Sequence, residues 1–287
     1  MKYAFIREHS RSHSVQGLCG LMEVSRSAYY DWLDRPESKR SKEDRQLAGE
    51  LTALHFEMRQ AYGTLRLWRE FSRRQRRVGK HRIARLKREL GLWTRRRRRF
   101  VRGTASRRDR AVHPNVLNRL FAVNQVQRVW VADITAIWTL QGWLYLAVLL
   151  DLKTRRIVGW ATGSTFDGQL TLAALDQAVR RSPSVGGLLH HSDRGAHYGC
   201  HAYQQRLREK GINSSMSRAA NCYDNAVAES FFSSLKNEET LHQRYRTREQ
   251  ARAALYDYIE MFYNRKRLHS TLGYITPVEF EQINNAA

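Results

Sequence analysis

The chain has 287 residues and 42% hydrophobic content, enough for one sizeable core and a smaller module. No stretch approaches the ~18 consecutive apolar residues of a membrane span, and the start of the chain lacks the apolar segment of a signal peptide. Cys19, Cys200 and Cys222 are scattered, which excludes a disulfide framework and a CxxC zinc half-site; the expected location is cytoplasmic, associated with the nucleoid. Fifty Lys and Arg against 27 Asp and Glu give a net charge of +23. Residues 1–125 hold 31 of the basic and 12 of the acidic residues, a net of +19, and the remainder carries only +4. A half this basic points to a polyanion, since each Lys or Arg on a phosphate releases counterions; without an amphipathic anchor, that polyanion is nucleic acid rather than a membrane surface.

In chain order, residues 1–41 read as a small helix-turn-helix module. Val15, Leu18, Cys19 and Met22 keep helical spacing, Val24-Ser25 offers a turn and N-cap, and Ala28, Tyr29 and Trp32 resume the pattern. Glu23 stands where such turns often have Gly. Residues 42–99 form a second helical, helix-turn-helix-like region. Leu47, Leu51, Leu54, His55 and Met58 mark one helix, and Leu65 and Trp68 begin another. In KHRIARLKRELG, Ile83, Leu86 and Leu90 make an apolar seam, Arg82, Arg85, Lys87 and Arg88 crowd the rest, and Gly91 is the expected C-cap. That is the pattern of a DNA-reading helix, and also of a merely solvated one. The run Arg95, Arg96, Arg97, Arg98, Arg99 reads as phosphate contacts, and residues 100–117 as a basic linker. A fragment from Met1 to Arg110 is expected to bind duplex DNA by itself.

Residues 118–275 alternate strands and helices, and residues 276–287 are left as a tail. The first strand alternates Val129, Val131, Asp133, Thr135 and Ile137 on one face with Trp130, Ala132, Ile134, Ala136 and Trp138 on the other. Trp143–Leu150 is apolar throughout, as for a strand buried on both faces, and a third strand spans Arg156–Ala161. A helix at Gln169–Val179, a strand at Gly187–Ser192, a helix at His201–Glu209, a short strand near Ile212–Met216 and a long helix from Asn225 complete an α/β layer with a mixed sheet.

Three acids stand out. Asp133 interrupts an apolar strand, where an unpaired carboxylate is costly. Asp193 ends a strand in LLHHSDRGAHY, the place where α/β sheets present ligands. Glu229 lies on a helix whose buried stripe is Ala228, Phe231, Phe232 and Leu235, with Asp224 or Asn225 as its cap and Lys236 two turns on along the same face. Phosphodiester chemistry on hard divalent cations needs carboxylates of this kind. Asp151, Asp176 and Asp224 are the rival acids, read as a turn residue, a helix-surface acid and a cap.

VWVADIT, HSDRGAHY, NCYDNAVAESFFSSLKNE and YNRKRLHSTLGYITPVEF, in that order and spacing, resemble the second-reading-frame transposases of the bacterial insertion-sequence-three family, kin to retroviral integrases. YGTLRLW and VGKHRIARLKRELGL resemble the helix-turn-helix region before that family's core. The resemblance implies a ribonuclease-H-like core, with Asp133, Asp193 and Glu229 as catalytic and metal-binding triad and Lys236 on DNA. It implies two Mg²⁺ or Mn²⁺ ions per site. It also implies terminal inverted repeats and target DNA as substrates, a homo-oligomer on DNA, and a possible upstream-frame product as partner. Ala196-His197 replaces the family's usual Ser-Gln, and no His-His-Cys-Cys zinc module is present. His190 and His191 are expected to pack or to orient the neighbouring carboxylate. Ala251, Ala254, Leu255, Tyr258 and Phe262 form a helix stripe, followed by Arg265, Lys266, Arg267 and His269, which either touch DNA or are solvated. A structure-specific nuclease and a non-enzymatic DNA-binding regulator are the rival functions.

Overall fold

The computed structural model describes residues 2–95, 128–217 and 226–285. The chain forms two compact units, residues 1–52 and 53–287, divided within helix α4 (Lys39–Glu57). In the first unit, α1 (Lys2–His9), α2 (Val15–Leu21) and α3 (Arg26–Asp34) enclose Ile6, Leu18, Cys19 and Tyr29. Ser25 caps α3 by accepting the Ala28 N–H at 3.1 Å. Glu23 takes the left-handed conformation (φ 53°) that closes the turn after α2, the role glycine usually fills. Helix α1 has no counterpart in the sequence reading, and α4 begins before the boundary drawn at residue 42.

In the second unit, α5 (Thr64–Arg73) and α6 (Lys80–Glu89) bury Leu67, Phe71, Ile83 and Leu86. Gly91 ends α6 in the left-handed region (φ 62°), as expected. This region shares its interior with the C-terminal residues. The Tyr62 hydroxyl accepts the Leu268 N–H at 2.7 Å and donates to the Lys266 carbonyl at 3.1 Å. Arg59 pairs with Glu239 and Asp257.

The sheet has five strands in the order β3-β2-β1-β4-β5: β1 (Val129–Thr139), β2 (Gly142–Asp151), β3 (Ile157–Gly163), β4 (Leu189–Ser192) and β5 (Asn213–Met216). The first three make an antiparallel meander, and β4 and β5 join parallel to β1. Together with the helices this is the mixed α/β architecture of a ribonuclease-H-like core. On one face, Trp130, Ala132, Ala147, Leu149 and Val158 meet α7 (Gly168–Arg181) and α8 (His201–Glu209). Gly159 brings β3 against α7 so closely that a Cβ there would lie 2.4 Å from the Ala174 carbonyl oxygen. Against the other face pack α9 (Ala226–Glu238) and α10 (Arg248–Tyr256).

Helix α10 continues as a π-helical turn, Asp257–Tyr263, which buries Tyr258, Ile259, Phe262 and Tyr263. At its end, the Asn264 side chain accepts the Ile157 N–H at 2.9 Å and donates to the Ile157 carbonyl at 3.1 Å. Gln177 likewise accepts the Trp160 N–H at 2.8 Å. The segment read as a tail is helix α11 (Pro277–Asn285), whose buried Glu281 pairs with Arg156. No helix among the described residues is long and apolar enough to cross a membrane.

Candidate active site

Strands β1 and β4 set the site. They run parallel, with Val131 opposite His191, so Asp133 and Asp193 lie two residues further along neighbouring strand lines. Trp130 and Ala132 face α7 and α8, and the two-residue period therefore turns Asp133 to the face covered by α9. Glu229 is in the first turn of α9, whose Ala228, Phe231, Phe232 and Leu235 are buried as the stripe requires. Glu229 and Lys236 are both exposed. The expected caps, Asp224 and Asn225, lie outside the described residues.

Asp133 is half-buried, and its Oδ1 accepts the N–H of Ile134 at 2.8 Å. Burial pushes its carboxyl up to about 7; the Ile134 bond pulls it down, the charges of Asp193 and Glu229 raise it, and Lys236 lowers it. Two further acids and one ammonium from separate parts of the chain thus act on Asp133. Asp193 follows β4 and is exposed; its Oδ1 accepts the Gly195 N–H at 2.9 Å, a turn that fixes the carboxylate. Arg194 points away and donates to the Ser217 carbonyl at 2.8 Å. Among the described residues, no three His, Cys, Asp or Glu side chains are gathered into a ready-made metal cluster. The donor chemistry still suits divalent cations, because a half-buried carboxyl beside two others keeps its charge poorly without one.

Two of the three rival acids are occupied, and the third, Asp224, lies outside the described residues. Asp151 Oδ1 accepts the Thr154 N–H and hydroxyl, both at 2.8 Å, and Asp176 pairs with Arg206. The histidines pack. His190 Nε2 is 2.9 Å from the Tyr203 hydroxyl, with burial pushing the ring down to about 3, and His191 Nδ1 is 2.9 Å from the Ser215 hydroxyl.

Among the basic residues of α6, Arg85 pairs with Glu89 at 3.0 Å, Arg82 and Lys87 are half-buried, and Arg88 is exposed. Arg95 donates through Nε to the Gln60 side chain at 3.2 Å. Arg96, Arg97, Arg98 and Arg99 lie outside the described residues. Near the C-terminus, Arg265 and Lys266 are exposed, but Arg267 and His269 are buried. Arg267 binds Glu238 on α9, which corrects the reading of both as DNA contacts or solvated groups. The missed signal was the stripe of α9: continued three residues past Leu235, it buries a carboxylate that then needs a cation.

The chain matches two family models described as "Integrase core domain", over residues 123–222 and 229–284, and one described as "HTH-like domain", over residues 42–100. It is 43% identical over 265 residues to "Insertion element IS600 uncharacterized 31 kDa protein" of Shigella sonnei, covering 92% of this chain and 97% of that protein. It is 34% identical over 288 residues to "Transposase InsF for insertion sequence IS3A" of Escherichia coli (strain K12), covering 100% of both. Among solved structures, the catalytic core domain of BIV integrase is similar at 18% identity and a TM-score of 0.42, over 56% of this chain and 97% of that one.

Proposed function

The chain belongs to the IS3 family of transposases, enzymes of the polynucleotidyl-transferase type, and we propose that it cuts and joins DNA at a centre formed by Asp133, Asp193 and Glu229. The observation that carries this reading is the parallel pairing of β1 with β4, which sets Asp133 and Asp193 level on neighbouring strand lines, with Glu229 in the first turn of the helix packed against β1. The three carboxylates would hold Mg²⁺ or Mn²⁺, two ions per site. When bound, such ions supply an activated water and neutralise charge on the phosphorus oxygens.

The chain's own residues do the rest. Gly195 N–H holds Asp193 in place, the Ile134 N–H orients Asp133, and the buried stripe of α9 presents Glu229 and Lys236 together on an exposed face. The Lys236 ammonium, exposed on α9, would hold a phosphate oxygen. Arg82, Arg85, Lys87 and Arg88, with Arg95 to Arg99 beyond them, would grip the backbone of the element's terminal inverted repeats, and residues 1–41 would add a further helical contact. Hydrolysis of one phosphodiester would expose a 3′-hydroxyl, whose oxygen would then attack a phosphodiester of the target DNA at the same centre and displace that strand's own 3′-oxygen, which leaves as a hydroxyl. More than one copy of the chain would assemble on the DNA to join two ends.

Glu229→Gln tests the reading. It keeps length and helix propensity and leaves the buried stripe untouched. Folding and DNA binding are expected to survive, while cleavage and joining of an end-bearing duplex, resolved on a gel, are lost together. Asp133→Asn and Asp193→Asn are expected to do the same, with little further loss on combination. Cutting at near wild-type rate by Glu229→Gln would overturn the triad.

A further inference from the structure

The face of the sheet opposite Asp133 continues past α7 and α8 into an exposed aromatic surface. Trp138 and Trp143 are cross-strand partners at the end of the β1–β2 hairpin, 57% and 47% exposed, with ring centroids 4.9 Å apart. Two residues along β2 on the same face, Tyr145 lies 5.5 Å from the ring of Phe166, itself 53% exposed. Phe166 in turn stacks edge-on against His197 at 4.7 Å. His197 is adjacent to the candidate site: a Cβ on Gly195 would lie 2.4 Å from the His197 ring and 2.8 Å from Asp193 Oδ1, so both side chains flank that glycine. Rings therefore lead from the hairpin tip to the edge of the carboxylate centre.

Charge lines one side of this surface. Thr139 pairs in parallel with Tyr245, whose N–H and carbonyl side extends the sheet there: the Leu140 N–H donates to the Tyr245 carbonyl at 3.0 Å. Tyr245 is buried, and Arg244 and Arg246 flank it beside the end of the β1–β2 hairpin. Both arginines are exposed, and neither has an acidic partner among the described residues. Flat rings beside exposed guanidinium groups suit a nucleic acid strand whose bases are free to stack, because every base offers a π-face and every nucleotide a phosphate.

We infer that Trp138, Trp143, Tyr145 and Phe166, flanked by Arg244 and Arg246, form a stacking track for unpaired DNA bases next to the reacting phosphodiester. The inference rests on the reading of this chain as acting on DNA.

The test compares the full chain and its variants on two fluorescent probes, without divalent cations so that nothing is cut. One probe is a blunt duplex, the other the same duplex with a short single-stranded tail. The wild type is expected to prefer the tailed probe by about fivefold or more, the range of base–aromatic stacking. The double variant Trp138→Leu/Trp143→Leu keeps apolar bulk but loses the ring faces; it should lose that preference while holding the blunt duplex as before. Trp138→Phe/Trp143→Phe should retain it. Phe166→Leu, on a separate segment, gives an independent measure if the hairpin variants fold poorly. A tail preference that survives in both Leu variants overturns the track, as does a wild type that binds blunt DNA without any preference. A fall in sedimenting mass for the double Leu variant with tail preference intact would assign the face to a second copy of the chain instead. Binding to neither probe would remove the DNA reading itself.

Discussion

Glu238 on α9 and Arg267 in the C-terminal segment form an ion pair at 2.7 Å, with both side chains less than a tenth exposed. Tyr258 donates to the same carboxylate at 2.8 Å, and Arg267 also donates to the Ser234 hydroxyl at 3.1 Å. The pair anchors the end of the helix that carries Glu229 and Lys236. Removing one partner strands a buried charge, so Arg267→Ala is expected to cost about 3–5 kcal/mol in urea unfolding. Arg267→Lys should recover only part, since an ammonium cannot reproduce the forked contact. An unchanged unfolding midpoint for Arg267→Ala would refute the anchor.

Asp133 has a pH dependence opposite in sign to that of a salt-bridged carboxylate. Its folded carboxyl is raised from the ordinary 3.8 to about 7, so between these values the folded chain keeps a proton that the unfolded chain has released. Stability from this group is intact below about pH 4 and is lost as pH rises through about 7. In excess chelator, the melting temperature of wild type is expected to fall relative to Asp133→Asn across that window. Added Mg²⁺ should narrow the gap at pH 8. Parallel pH profiles for the two proteins would show that Asp133 is not perturbed.

Gly159 has no space for a side chain: a Cβ would meet Ala178 Cβ at 2.7 Å as well as the Ala174 carbonyl. Gly159→Ala must lift α7 from β3, at about 1–3 kcal/mol or more for an overpacked contact with backbone. Thermal melts measure this directly, and a neutral substitution would mean that α7 is not seated as described.

A fragment ending at Arg110 keeps the basic half of the chain but lacks the groups that hold Tyr62 and Arg59. Tyr62 alone serves two backbone groups at Lys266 and Leu268. The fragment is expected to bind duplex DNA with a steep loss in salt, on a fold that melts well below the intact chain. Circular dichroism melts beside a salt titration separate the two properties; equal melting of fragment and whole would make residues 53–95 a free-standing module.

Local patterning carried much of this structure into view. The alternation through β1, the apolar β2, the stripe of α9 and the glycine after α6 each report a nearest-neighbour requirement that one segment can satisfy. That Glu229 and Lys236 lie off the buried stripe of α9 was legible for the same reason, since a helix face depends only on spacing. The missed features depend on what lies far away in the chain. Arg267 looks solvated until Glu238 is placed beside it, and Tyr62 looks like a helix-end aromatic until the backbone at Leu268 arrives. Glu23 departs from the usual glycine, yet the turn after α2 holds it in the left-handed region all the same. The π-helical turn has no sequence period of its own.

The side-chain amides of Asn264 and Gln177 have a consequence for assembly. Strand β3 is an outer strand of the sheet, and the bonds of Asn264 to both backbone groups of Ile157, with that of Gln177 to Trp160, occupy positions where another strand would hydrogen-bond. The amide of Asn264 imitates a peptide group and closes the register at that residue. Unpaired outer strands are templates for aggregation, and here the template is blocked from within the same chain. Extension of the sheet by another chain is therefore blocked along this part of β3, without any demand on the strand that carries Asp133.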